Sequence, residues 1–128
     1  MAKKLVCTIC SREKRTDEEL LPAKNRYISE RIDRVGKFAT ENGLPLVILS
    51  GEYGLLCPDD KIPYYDHLLK DEEVESLAEV VKQQIADLGA TELIFYAKPR
   101  EKNWEPYYLV LEIATEELCT KLTVIPVS

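Results

Sequence analysis

The chain has 128 residues, of which 45% are hydrophobic and 31% charged, and a formal net charge of −6. This length fits one domain, and the balance of apolar and charged residues excludes a disordered chain. No stretch approaches the roughly 18 apolar residues of a membrane span, and the acidic charge works against sequence-independent nucleic-acid binding, which rests on neutralised phosphates.

The first residues, MAKKLVCTI, have a basic tip, but their apolar run is too short for a secretory signal. A cytoplasmic location is expected, with no membrane association. The four cysteines, Cys7, Cys10, Cys57 and Cys119, are then expected to be reduced rather than bridged. Short apolar runs at 4–10 (KLVCTIC), 44–50 (LPLVILS), 92–97 (ELIFYA) and 122–127 (LTVIPV) read as strands buried on both faces. Segments of helical period lie between them. In 25–42, Ile28, Ile32, Val35 and Ala39 share a stripe, and Asn42-Gly43 supplies the stop. In 71–88, Asp71 is a plausible N-cap, Leu77, Val80, Val81, Ile85 and Leu88 form the stripe, and Gly89 ends it. In 105–119, Tyr108, Leu111 and Leu118 point inward.

The order β-α-β-α-β-α-β predicts a single α/β domain over 1–128: a three-layer sandwich with a mainly parallel sheet of about four strands. Ligands of such sheets sit outside the carboxyl ends of the strands. The loops 11–24 and 51–70 follow the first and second strands and exceed the usual 2–6 residues. They are therefore the places to look for a site.

Cys7-Thr8-Ile9-Cys10 is a lone CxxC whose first cysteine lies inside a strand. A redox pair needs that cysteine at a helix N-terminus, and zinc needs two further ligands that show no paired spacing. Structural cysteines outweigh both readings, and neither a metal nor a cofactor is implied. Past the first strand, Cys10, Ser11, Arg12 and Lys14 offer a thiol, a hydroxyl and cations beside exposed backbone N–H groups, which suits a phosphate or carboxylate. The plain alternative is a solvated basic loop.

Ser50-Gly51-Glu52-Tyr53-Gly54 runs from a buried strand into a Gly-x-x-Gly turn. The glycines let backbone approach a ligand or take positive φ. Glu52 is a candidate acid, base or ribose acceptor, and Tyr53 can stack on a ring. An ordinary turn explains the same residues. Further on, Tyr64, Tyr65, Asp66 and His67 bring rings, a carboxylate and the only histidine. Trp104, the only tryptophan, either walls a pocket or caps the third helix against the sheet.

Cys10-Ser11-Arg12-Glu13-Lys14, then Leu49-Ser50-Gly51-Glu52-Tyr53-Gly54-Leu55-Leu56, then Pro58-Asp59 and Ile62-Pro63-Tyr64-Tyr65-Asp66 together resemble the YaaA peroxide-stress family. They are also similar to small bacterial and phage domains of unknown function, and to the accessory domain of archaeosine synthase and related archaeal tRNA-guanine transglycosylases. The resemblance covers about residues 5–69. It implies DNA binding and protection from oxidative damage on the one side, and a pocket of nucleobase or nucleotide size on the other. It carries no catalytic residue over.

The expected function is binding of a nucleotide, nucleoside or modified base in a cleft between the loops after the first two strands. Ser11, Arg12 and Lys14 would hold the anionic end. Ser50, Gly51 and Gly54 would contact the ligand, and Tyr53 and Tyr64 would face the ring. Any catalysis is expected at an N-glycosidic bond, with Glu52 or Asp66 as the carboxylate. The rival expectations are a DNA- or RNA-binding stress module and a non-catalytic interaction domain in which Tyr53, Leu55 and Leu56 are core. The sequence leaves the oligomeric state open.

Overall fold

A computed structural model describes residues 3–11, 13–16, 19–101 and 103–127. Four strands form where the apolar runs predict them: β1 (Lys4–Ile9), β3 (Leu46–Ser50), β6 (Glu92–Ala97) and β7 (Lys121–Pro126). They are mutually parallel. The second loop adds what periodicity did not show. It folds back as β4 (Gly54–Leu56), antiparallel to β3, so the sheet has five strands in the order β4-β3-β1-β6-β7 rather than four. Two short strands, β2 (Leu21–Pro22) and β5 (Lys61–Ile62), join the first and second loops in a separate two-stranded ribbon.

The strands alternate their side chains between two sets of helices, as period two requires. Leu5, Cys7, Ile9, Leu93, Phe95 and Ala97 pack with α3 (Val74–Leu88) and α4 (Glu105–Leu118). Val6 and Ile48 meet α2 (Glu30–Glu41) through Val35, Ala39 and Ile32. Each fully buried Leu or Phe among them contributes about 2 kcal/mol of hydrophobic stabilisation. β7, expected to be buried on both faces, is an edge strand with one neighbour and is only partly covered.

The first predicted helix is two. After α1 (Ala23–Arg26), Tyr27 is extended and bridges Lys14, and α2 restarts behind the Ser29 cap, whose Oγ accepts from the Ile32 amide at 3.2 Å. The break turns Tyr27 inward and leaves Ile28 52% exposed, off the stripe on which spacing alone puts it. Asp71 opens a single 3₁₀ turn, Asp71–Glu73, rather than capping α3. Val80 is likewise exposed. Arg26 is completely buried. It donates to the carbonyls of Ile62 (3.0 Å), Arg15 (2.5 Å) and Glu19 (3.3 Å), tying the first loop to β5. Among the described residues, no helix is long and apolar enough to cross a membrane.

The β3–β4 turn depends on one glycine. Gly54 has φ +76°, and a Cβ there would fall 2.5 Å from Gln84 Oε1. Gln84 is not free to retreat. Its Oε1 accepts from the Leu55 amide at 2.7 Å, and its Nε2 donates to the Leu55 and Tyr53 carbonyls. Gly54→Ala is therefore expected to lose about 2 kcal/mol or more, combining left-handed strain with a broken Gln84 clamp. Urea unfolding measures it, with Gly43→Ala, at similar φ in open space, as the strain-only comparison.

Candidate functional site

The chain leaves β1 for β3 on one side and later reaches β6 on the other, so the crossovers part above β1. Parting crossovers leave a crevice at the carboxyl ends of the strands. A cavity of about 770 Å³ occupies that position. It is built from the end of β1, the first turn of α2, the segment after β6 and a strap at 66–68. Its volume lies in the usual range for small-molecule sites.

The floor follows from where β1 stops. Cys10 continues the ladder through its amide to the Leu49 carbonyl (2.9 Å), and its thiol lies 3.9 Å from the Tyr107 hydroxyl. Arg31, in the first turn of α2, reaches across the strand end. It donates to Thr8 Oγ1 (2.5 Å) and to the carbonyls of Ile9 (2.8 Å) and Cys10 (3.3 Å), and its guanidinium lies 5.0 Å from the Trp104 ring centre. Burial holds the Arg31 pKa below its ordinary value. Burial likewise raises those of Tyr107, Tyr27 and Tyr65, which stay neutral hydroxyls.

The wall after β6 is braced from behind. The Tyr108 hydroxyl donates to the Lys98 carbonyl at 2.6 Å, and Arg100 pairs with both Glu105 and Glu112. Trp104 fills both roles its sequence position allowed: it sits at the start of α4 and lines the cavity. On the strap, His67 is held between two carboxylates, Glu52 Oε2 on Nδ1 (2.5 Å) and Glu73 on Nε2 (2.9 Å). Its hydrogen bonds to Glu73 first and Glu52 second raise its pKa above 6.5.

The sequence-predicted residues divide. Cys10, Ser11, Lys14 and Asp66 line the cavity. Arg12 lies outside the described residues. Ser11 donates to the Glu13 carbonyl at 2.7 Å, and the Lys14 ammonium sits 4.6 Å from the Tyr65 ring centre. Glu52, Ser50, Gly51, Tyr53, Gly54 and Tyr64 are not in its lining. Ser50 is fully buried; its Oγ meets the Tyr65 hydroxyl at 2.8 Å, accepts from the Glu52 and Tyr53 amides, and so closes the turn. Gly51 permits close approach, but of protein: a Cβ there would lie 3.2 Å from the Tyr107 hydroxyl and 3.3 Å from the His67 carbonyl. Tyr53 is half-buried with its edge to Tyr65, and Tyr64 is 51% exposed. The hollow thus lies over the end of β1, between Ser11, Glu13 and Lys14 of the first loop, the 66–68 end of the second and the segment after β6, while the β3–β4 turn stays outside its lining.

Arg31, Arg34, Lys98 and Tyr107 carried no motif in the sequence. One signal was present: Arg31 follows the Ser29 cap by two residues, which puts it in the first turn of a helix that starts at the ligand-facing edge. Among the described residues, no group of three or more Cys, His, Asp or Glu is placed to hold a metal. Cys7 is buried in the core, and its pKa is pushed up by that burial.

The His67 clamp carries a pH signature. Its imidazolium stabilises fully below the unfolded value of about 6.5, and the contribution is lost as pH rises through the higher folded value. Glu73, lowered from 4.5 chiefly by its hydrogen bond to His67, adds the opposite limb, lost as pH falls. The melting-temperature gap between wild type and His67→Ala is expected to be widest between about pH 5 and 6.5, at a few degrees, and to shrink as pH rises through the raised folded value. A gap that widens with rising pH would overturn the assignment.

No curated protein and no solved structure matches the chain. Residues 5–115 match the model of a family described as "Family of unknown function (DUF6884)". That span takes in β1, the cavity and most of α4, and the chain belongs to this family.

Proposed function

We propose that this domain binds a nucleotide, nucleoside or modified base at the carboxyl edge of its parallel strands. The observation that carries the reading is the cavity of about 770 Å³ at the point where the crossovers part. Its lining joins cations (Lys14, Arg31, Arg34, Lys98) to Trp104 and to the exposed apolar side chains of Ile28 and Leu68. Cations suit a phosphate or other anionic end, and aromatic rings suit a base or its ring system. In this reading Ser11, Lys14 and the neighbouring Arg12 serve the anionic end, as the sequence suggested. Ring contacts pass from Tyr53 and Tyr64 to the lining residues Trp104, Ile28 and Leu68. The architecture beneath is read as a three-layer sandwich, with α2 over one face of the sheet and α3 with α4 over the other. The resemblance to the YaaA and archaeosine synthase proteins belongs to the same proposal and points to the same ligand size.

Catalysis, where present, falls to Asp66 rather than Glu52. Asp66 lines the cavity, whereas Glu52 is engaged with His67. The corresponding class is N-glycoside hydrolysis: water bonds to the anomeric carbon as the carbon–nitrogen bond breaks, the base leaves with the bonding pair, and Asp66 takes the water's proton, which ends on the departing base.

A thermal-shift screen against nucleotides, deoxynucleosides and 7-deazaguanines at millimolar concentration tests the reading, since any ligand bound only by the folded state raises the melting temperature. At least one class is expected to raise it by several degrees. Lys98→Glu, on the braced wall, is expected to weaken that ligand about tenfold, because it reverses a charge in the lining. A flat response across all three classes would sink the proposal.

A further inference from the structure

The most unusual group in the cavity is Arg31, which is half-buried. Charges partly withdrawn from water are ordinarily paired with an opposite charge. Among the described residues, Arg31 has no carboxylate partner. Its hydrogen bonds go to Thr8 Oγ1 and to the carbonyls of Ile9 and Cys10. A guanidinium has five N–H donors, and three are used here: two on Nη1 and one on Nη2. The Nε–H and the second Nη2 hydrogen are left without a protein acceptor among the described residues. Neutral acceptors fix the group in place without cancelling its charge. The Trp104 ring 5.0 Å from the guanidinium further limits its movement. It therefore resembles a preorganised receptor, with geometry set in advance and charge uncompensated.

The surroundings are consistent with an anion at this point. Four cationic side chains in the lining stand against three carboxylates, Glu13, Glu30 and Asp66, although the whole chain is acidic. The mouth differs in character from the floor: Ile28 is 52% and Leu68 58% exposed at its rim. A ligand that fits both ends carries a compact anion at one end and an apolar, ring-bearing body at the other.

We infer that Arg31 is the specificity-determining residue of the cavity, receiving the phosphate of a 5′-mononucleotide while the base lies toward Ile28 and Leu68. This rests on the nucleotide reading above and narrows it from nucleotide, nucleoside or base to the phosphorylated form. The planar fork matters as well as the charge, because two parallel N–H donors match two phosphate oxygens, a geometry that a lysine ammonium does not reproduce.

The experiment compares a 5′-mononucleotide, its nucleoside and inorganic phosphate by titration calorimetry on wild type, Arg31→Lys and Arg31→Gln. In wild type the mononucleotide is expected to bind at least tenfold tighter than the nucleoside. In Arg31→Gln that ratio is expected to fall to about one, with nucleoside affinity little changed, and Arg31→Lys should recover only part of it. Equal affinities in wild type, or a ratio that survives in Arg31→Gln, would refute the inference. Because Arg31 also ties down the end of β1, a measurement on wild type alone stands beside its variants. Phenylglyoxal modification of Arg31, followed by peptide mass spectrometry, should be blocked by the mononucleotide but not by the nucleoside, with Arg100 as the unprotected reference. Modification of Arg31 at the same rate with and without mononucleotide counts against the inference. Inorganic phosphate separates the two levels of the claim. If neither nucleoside nor mononucleotide binds but phosphate protects Arg31, the nucleotide reading falls and the anion receptor stands. If phosphate also fails to protect it, both fall.

Discussion

A parallel strand in the middle of a sheet ends in carbonyl and amide groups that its neighbours cannot satisfy once their crossovers turn away. β1 is that strand here: β3 lies on one side, β6 on the other, and the helices that follow leave in different directions. The carbonyls of Ile9 and Cys10 would line the resulting crevice as bare acceptors, which are costly when buried. Arg31 answers them both. The same contact gives the crevice a fixed cation, so the satisfaction of a strand end and the character of the hollow above it come from one side chain.

The rest of the hollow is held by polar groups buried beneath it rather than by apolar packing alone. Tyr27, Tyr65 and Ser50 form a hydroxyl chain with links of 2.6 and 2.8 Å. It joins the break before α2, the strap and the end of β3. Arg26 fastens the first loop to β5 through backbone carbonyls. Connected networks of this kind fix a loop conformation more specifically than apolar contacts do, because each lost link leaves a buried polar group unpaired. Long loops at the ligand-facing edge can therefore keep a defined shape without regular secondary structure.

This division explains how far the sequence could be read. Strands buried on both faces announce themselves as apolar runs, and β1, β3 and β6 were legible for that reason; β7 kept its place but not its burial. The 25–42 helix was misread because periodicity counts Ile28 as one more apolar position. Only the Lys14–Tyr27 bridge and the Ser29 cap show that the chain is extended there. Ser50, Gly51 and Gly54 had the composition of a ligand loop, since the features that admit a ligand's close approach also admit a protein's. At Gly51 the neighbours are Tyr107 and the His67 backbone; at Gly54 the neighbour is Gln84. Arg31 and Arg34 had the opposite fault. On a helical wheel they belong to an ordinary solvated face, and only the tertiary placement of the first turn of α2 over the end of β1 makes them part of a cavity.

Charge sets a last constraint on what such a hollow can recognise. The chain carries a net −6, so an approaching anion is repelled at long range, and at physiological salt any field is screened within about 8 Å. Attraction has to arise after entry, from groups within contact distance. That favours a ligand small enough to pass the rim and place its charge on the floor, where screening is weakest and Arg31 is already oriented. The same fold and the same cavity on a basic chain would argue differently. In the nucleotide reading proposed above, a lining with four cations against three carboxylates, in a chain of net −6, suits a compact, singly anchored anion.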